Sequence, residues 1–304
     1  MTDFKKIDKL IERAVSVIEN SPDISLNLLK RASSLAESSG YLNGKASSIF
    51  QMGRTYIALG NYLESNKYLE NSLELFENLN DSESQINILS LLGMNNSFLG
   101  NYENSLNYFQ KSLNLAENLG NDSLTGKILN NIGNLYYSQD DLESAKVYYL
   151  KSLPIKEKIG DIKGLGAAYN NLALISTGLN DLDKADEYIN KAITIKKNFR
   201  NNTKDEASFA FAKNILGSIK KSSGDYLSAL KIYEEVLDIY LRQNNILMLS
   251  ETYLLIASTY VDMNDKAKAL KFLNAGEGFI KQLNATRITE EFLLLQSKIA
   301  NLNR

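Results

Sequence analysis

A chain of 304 residues with 34 basic and 36 acidic side chains carries a formal net charge of -2, with no polybasic stretch and no acidic tail, which argues against nucleic acid as a partner. It contains no Cys and no His, which excludes thiolate nucleophiles, disulfides, thiolate metal sites and any Ser-His-Asp or Cys-His catalytic arrangement. Only two prolines, in a chain rich in Leu, Lys, Glu, Asn and Ser, leave long stretches open to helix.

The opening segment, MTDFKKIDKLIERAVSVIEN, mixes charge with apolar residues and lacks the uninterrupted apolar core of a signal peptide. No run of about 18 apolar residues follows anywhere, so no membrane span is expected and the cytoplasm is the expected location. The first reversal, Asn20-Ser21-Pro22-Asp23, is about one residue shorter than the later ones, as suits a terminal unit. From there the chain repeats itself. LGNYLESNKYL begins at Leu59 and LGNYENSLNYF at Leu99, and alignment on that turn puts Gly60, Gly100, Asp140, Asn180, Gly224 and Asn264 in one column, at intervals of 40, 40, 40, 44 and 40. A fixed period of this length marks a solenoid, in which each unit buries its apolar face only against its neighbours.

Each turn is flanked by two helical stripes. Seven residues before it stands a small residue, Gly53, Gly93, Gly133, Ala173, Gly217 or Ala257. Glycine inside a helix costs about 1 kcal/mol relative to Ala, so its recurrence calls for close helix approach. Five residues after the turn comes Ser65, Ser105, Ala145, Ala185, Ala229 or Ala269, and four further on the large Leu69, Phe109, Tyr149, Ile189, Tyr233 or Leu273. We expect small residues to face small ones across each helix pair, with the large ones filling the space beside them. Gly120-Asn121-Asp122 and Gly160-Asp161 read as a helix stop followed by an N-cap. The stretch Lys197 to Glu206 holds a four-residue insertion, where a bend is expected. ITEEFLLLQSKIANLNR at the end reads as one more first helix with no second; its Phe292, Leu293, Leu294 and Ile299 are expected to lie uncovered and to permit self-association.

Leu92-Gly93, Ser105, Phe109 and Ser112 in one unit, and Ile132-Gly133, Tyr136, Ala145, Tyr149 and Ser152 in the next, follow the small and large pattern of tetratricopeptide repeats, which the chain resembles throughout. Its 40-residue units, longer than the common 34, with NNIG or NNLA in the first helix, are similar to those of kinesin light chains, spindle-orientation adaptors and bacterial peptide-sensing or signalling proteins. The resemblance implies an all-α fold, a right-handed α-solenoid of about seven antiparallel helix pairs plus a C-terminal single helix. The units span about 3–40, 41–80, 81–120, 121–160, 161–200, 203–243 and 244–283, with the final helix at 286–300, in one solenoid over 1–304.

The same resemblance implies a concave groove lined by the first helix of each unit. Reading those columns assigns to it Phe50 and Arg54, then Met94 and Phe98, then Lys127, Asn130, Asn131, Asn134 and Tyr137, then Asn170 and Asn171, then Phe211 and Asn214. An amide carries both donors and an acceptor, so a row of Asn is suited to hold the backbone of a bound peptide while aromatic and apolar neighbours read its side chains. The expected function is a non-catalytic scaffold for a peptide or helical segment of a protein partner, with no cofactor and no metal. The alternative is the sensory module of a larger bacterial signalling protein with a cyclase, kinase or transcription-regulator output. Chaperone-tail recognition is not expected, because the basic residues it requires do not surround Asn134 and Asn171. Gly164-Leu165-Gly166 lacks the preceding strand and third glycine of a dinucleotide site, and Asn180 to Tyr188 lacks the Gly and terminal Glu of a calcium loop. Glu290 and Glu291, adjacent on a helix, diverge and form no acid-base pair.

Overall fold

In the computed structural model the described residues are 3–198, 203–283 and 286–301. Among them the regular structure is helical throughout, and the chain divides into two compact units, Met1–Ile159 and Gly160–Arg304. The N-terminal unit contains α1 (Asp3–Ser16), α2 (Pro22–Ser38), α3 (Leu42–Ala58), α4 (Tyr62–Asn78), α5 (Ser82–Phe98), α6 (Tyr102–Asn118), α7 (Asp122–Ser138) and α8 (Leu142–Lys158). The C-terminal unit contains α9 (Ile162–Gly178), α10 (Leu182–Lys197), α11 (Thr203–Ser222), α12 (Tyr226–Arg242), α13 (Ile246–Asp262), α14 (Lys266–Ile280) and α15 (Thr286–Asn301). The elements are the expected seven tandem pairs and a final single helix.

The joints explain the period. Leu59 ends α3, and Gly60 then takes φ +70, its N–H donating to the Ile57 carbonyl at 2.9 Å while the N–H of Asn61 donates to the Tyr56 carbonyl at 2.9 Å. This is a Schellman stop. Asn61 at once serves the next helix as N-cap, its Oδ1 accepting from the Glu64 N–H at 3.1 Å. One residue is shared by the stop and the start, so a helix of 17 residues and a joint of three set a beat of 20 and a pair of 40. The left-handed position falls on Gly60 and Gly100 but on Asp140 and Asn180 with φ +61 and +59, since Asn and Asp are the side chains that tolerate it best after Gly. Asn121 and Asp161 cap their helices as the sequence indicates, accepting from the N–H of Leu124 and of Gly164.

Within a pair the small column meets the large residue directly and, at Gly93, the small Ser105 as well. A Cβ on Gly93 would stand 2.8 Å from the Phe109 ring, and one on Gly133 2.7 Å from the Tyr149 ring, so the missing side chain is the space into which the ring settles. The second small residue binds the opposing backbone, Ser105 donating its hydroxyl to the Gly93 carbonyl at 2.7 Å. Leu69, Ile86, Leu92, Phe109, Ile132 and Tyr149 form the buried interior of the N-terminal unit. Ile189, Tyr233, Tyr240, Ile256 and Leu273 belong to that of the C-terminal unit.

Two expectations concern the C-terminal unit. The insertion goes partly into α11, which has 20 residues, and of the Lys197 to Glu206 stretch where a bend is expected, 199–202 lie outside the described residues. Phe292 and Ile299 are not uncovered: with Ile288 and Leu295 they form a stripe at intervals of four, three and four that packs α15 onto α13 and α14. Leu293 and Leu294 alone of the four remain exposed.

Candidate functional site

In the N-terminal unit the first helices α3, α5 and α7 offer one open cleft of about 400 Å³. Three pairs one helical turn apart line it: Phe50 and Arg54 from α3, Asn87 and Leu91 from α5, Lys127 and Asn131 from α7, with Ser90, Leu124 and Ile128 between them. The floor is apolar and the exposed polar groups are amides and cations. A neighbouring cleft of about 380 Å³ shares Arg54 and Leu91 and runs to Val15, Ile18 and Glu19. Arg54 is exposed and donates from Nη1 to the Gln51 amide oxygen at 3.0 Å. Among the described residues no carboxylate pairs with Arg54 or with Lys127, whereas Lys45, Lys67 and Lys158 of the same unit each pair with an acid.

Asn134 is held from beneath. The buried Tyr149 donates its hydroxyl to Asn134 Oδ1 at 2.6 Å, which fixes the amide on an exposed position of α7. Burial pushes the Tyr149 hydroxyl well above the usual tyrosine range, so it remains a proton donor. Tyr137 is exposed at 45 %, and Met94 is half-buried against the apolar interior. Phe98 stands at the end of α5 stacked on Tyr62, with ring centroids 4.9 Å apart, and does not line the cleft. Asn130, next to Asn131, is half-buried and its Oδ1 is enclosed without a hydrogen-bond partner.

The C-terminal unit treats the same column differently. Asn170 and Asn214, expected in the groove, are only 3 % and 6 % exposed. Asn214 Nδ2 donates to Thr252 Oγ1 on α13 at 2.9 Å, so its amide ties one first helix to the next. The reason lies in helix rotation. Adjacent residues differ by about 100° around the axis, and the column ten residues before the turn lies at the margin between interior and cleft. Phe50 and Ser90 line the cleft while Ser90 also meets the Ser112 hydroxyl on α6 at 2.9 Å, and in the C-terminal unit the same column is buried. The column nine before the turn, with Leu91 and Asn131, also opens to the cleft in the N-terminal unit. Asn171 is half-buried, and Phe211 is 37 % exposed on α11. A small pocket at the start of α11 contains Lys196, whose Nζ donates to Ser208 Oγ at 2.5 Å, beside the Lys163 to Asp205 pair at 3.0 Å. Burial pushes the Lys196 ammonium down, with Asp205 opposing.

Asn87, Leu91, Leu124 and Ile128 join the cleft without having been expected there. The signal was present, because Asn87 and Leu91 lie 40 residues before Lys127 and Asn131 and therefore share their columns. Among the described residues no group of three acids is placed to hold a metal ion, and no helix is long and apolar enough to cross a membrane.

A tetratricopeptide repeat model matches residues 45–118, 84–158 and 124–198, and a second tetratricopeptide repeat model matches 250–276, together more than half of the chain. No curated relative matches in sequence. Among solved structures, the apo form of the quorum sensor NprR from B. thuringiensis superposes with a TM-score of 0.74 at 20 % identity, over 92 % of this chain and 77 % of that one. A Rap protein complexed with Competence and Sporulation Factor gives 0.68 at 16 % identity, over 96 % and 78 %. Kinesin light chain repeats from Podosopora anserina give 0.53 at 14 % identity, over 65 % and 98 %. Identities this low establish a shared helical solenoid fold.

Proposed function

Because the chain belongs to the tetratricopeptide repeat family, we propose that it is a non-catalytic scaffold whose N-terminal unit takes a peptide or helical segment of a partner protein on the faces of α3, α5 and α7. The observation that carries this reading is the cleft itself: Asn87 and Asn131 supply donors and acceptors beside an apolar floor of Phe50, Leu91 and Leu124, the combination by which a groove holds a peptide backbone and one or two of its side chains. The factor bound in the Rap complex, and the quorum-sensing role of NprR, support it by analogy of fold. The reading needs neither cofactor nor metal, involves no nucleic acid or membrane, and places the protein in the cytoplasm. A photo-crosslinking residue at Asn131 should capture a partner that the same residue at Leu150, on the second-helix face, does not. Equal capture at both positions, or capture at Leu150 alone, would remove the cleft from the proposal.

The quorum-sensor neighbour favours one further reading, in which this solenoid is the sensory part of a longer signalling protein. An immunoblot of the native product tests it: a species well above 34.0 kDa supports the longer protein, and one of that mass opposes it.

A further inference from the structure

Resting on the scaffold reading, we infer that the segment held by the N-terminal unit is acidic: an extended stretch whose Asp or Glu side chains meet Arg54 and Lys127 while an apolar neighbour settles on Phe50 and Leu91. The charges of the cleft carry this. Its lining holds two cations and no carboxylate, and among the described residues neither cation has an acidic partner. Several other basic residues of this unit are held by acids or lie over rings, whereas these two share one cleft. Lys45, Lys67 and Lys158 sit 2.7, 2.8 and 2.6 Å from Glu37, Glu64 and Asp122, and Lys111 and Lys151 lie over the rings of Tyr108 and Tyr148. In a chain with nearly equal numbers of acids and bases, two uncompensated cations on one apolar-floored cleft set up a local positive field that favours an anionic ligand.

The spacing also bounds the ligand. Helices pack at about 8–10 Å, so two steps lead from α3 to α7, a distance that roughly five or six extended residues cover. Arg54 takes a carboxylate with a planar fork and Lys127 with a single ammonium. Asn87 and Asn131, a turn from Leu91 and Lys127 respectively, are left to bond the peptide backbone between the two charges.

The test is selection of short random peptides displayed on phage against the full chain, followed by affinity measurement on synthetic winners. Enrichment of peptides with Asp or Glu next to an apolar residue is expected. For such a peptide, Arg54→Glu with Lys127→Glu should weaken binding by about tenfold or more, as loss of charge-assisted hydrogen bonds implies, and should abolish the fall of affinity with added salt. Helix content and melting should not move, since both side chains are exposed and have no acid partner to lose. Winners without acids, insensitive to the double charge reversal yet lost on Asn131→Trp, would overturn the acidic assignment and leave the scaffold reading standing. Binding that disappears when the peptide's C-terminus is amidated would replace the side-chain carboxylate with the terminal one, and so overturn the internal placement. Failure to enrich any peptide would count against both the assignment and the scaffold reading on which it rests.

Discussion

The two units are built on the same beat and both bury amides of their first helices, Asn95 and Asn96 in one and Asn170 and Asn214 in the other, but in the N-terminal unit the first helices also line an open cleft with amides and cations. In the N-terminal unit the joints fall every 20 residues from Gly40 to Gly160, and the first helices turn amides and cations toward an open cleft. In the C-terminal unit the beat is interrupted before α11, the amides of Asn170 and Asn214 are buried, and the interior is filled by large rings such as Tyr233 and Tyr240. A shared repeat therefore does not imply a shared surface. The repeat sets which residues occupy a column, while exposure within one column varies from the half-buried Phe50 and Asn130 to the buried Asn170 and Asn214.

The strongest test of the common framework is to fill the space under the rings. Gly133→Leu in one unit and Gly217→Leu in the other should each cost about 1–3 kcal/mol, because a Cβ alone already collides with Tyr149 or Tyr233. Denaturant unfolding monitored by circular dichroism measures it. Gly278, with nothing within 4 Å of its Cβ position, is the control, and Gly278→Ala should stabilise by roughly 0.5–1 kcal/mol. Equal effects at all three positions would mean that the small column is not a packing device.

A smaller effect separates the buried amide from the exposed one. Asn214→Ala removes the bond to Thr252 and leaves a small void, which should cost about 1 kcal/mol. Thr252 still donates to the Met248 carbonyl, so no new orphan is made. Asn214→Leu should recover most of the loss, since the Oδ1 it removes is buried without a donor. Asn131→Ala, on the cleft, should change stability by less than about 0.5 kcal/mol while altering ligand capture. A large loss at Asn131 with none at Asn214 would invert the comparison.

The joints and the pairing could be read from the sequence because they depend on residue types with few substitutes. Only Gly, Asn and Asp suit a positive φ, and only a residue without a large side chain admits Phe109 or Tyr149. The packing of α15 was legible too, since Ile288, Phe292, Leu295 and Ile299 spell one stripe, but the adjacent Leu293 and Leu294 blur it by extending the apolar run around the helix. The cleft was only half legible. Asn130 and Asn131 are neighbours of one type, and which of them faces the cleft depends on a rotation of about 100° per residue that is set by buried contacts and not by the amides themselves. Asn170 and Asn214 depart from expectation for that reason, and Phe98 because nothing in its column announces the stack on Tyr62.

The weakest effect at neutral pH becomes visible in alkali. Burial raises the Tyr233 hydroxyl to about 12, against a slight opposing influence of its contact with Ser218 at 3.2 Å. An unfolded tyrosine ionises near 10, so between about pH 10 and 12 the unfolded chain has released this proton and the folded chain has kept it. Folding is then linked to proton uptake, and stability that is fully present below pH 10 declines as pH rises. For this group alone the slope is about 1.4 kcal/mol per pH unit across that window. Tyr149 and Tyr240 are raised in the same direction and add to the decline. Tyr233→Phe should be nearly as stable as the wild type at pH 7, losing only the weak hydroxyl contact, and should lose stability less steeply above pH 10. Parallel denaturation midpoints at pH 8, 10 and 11 make the comparison. An unchanged slope would show that Tyr233 reaches water in the folded state, and that the C-terminal interior is more open than its buried rings imply.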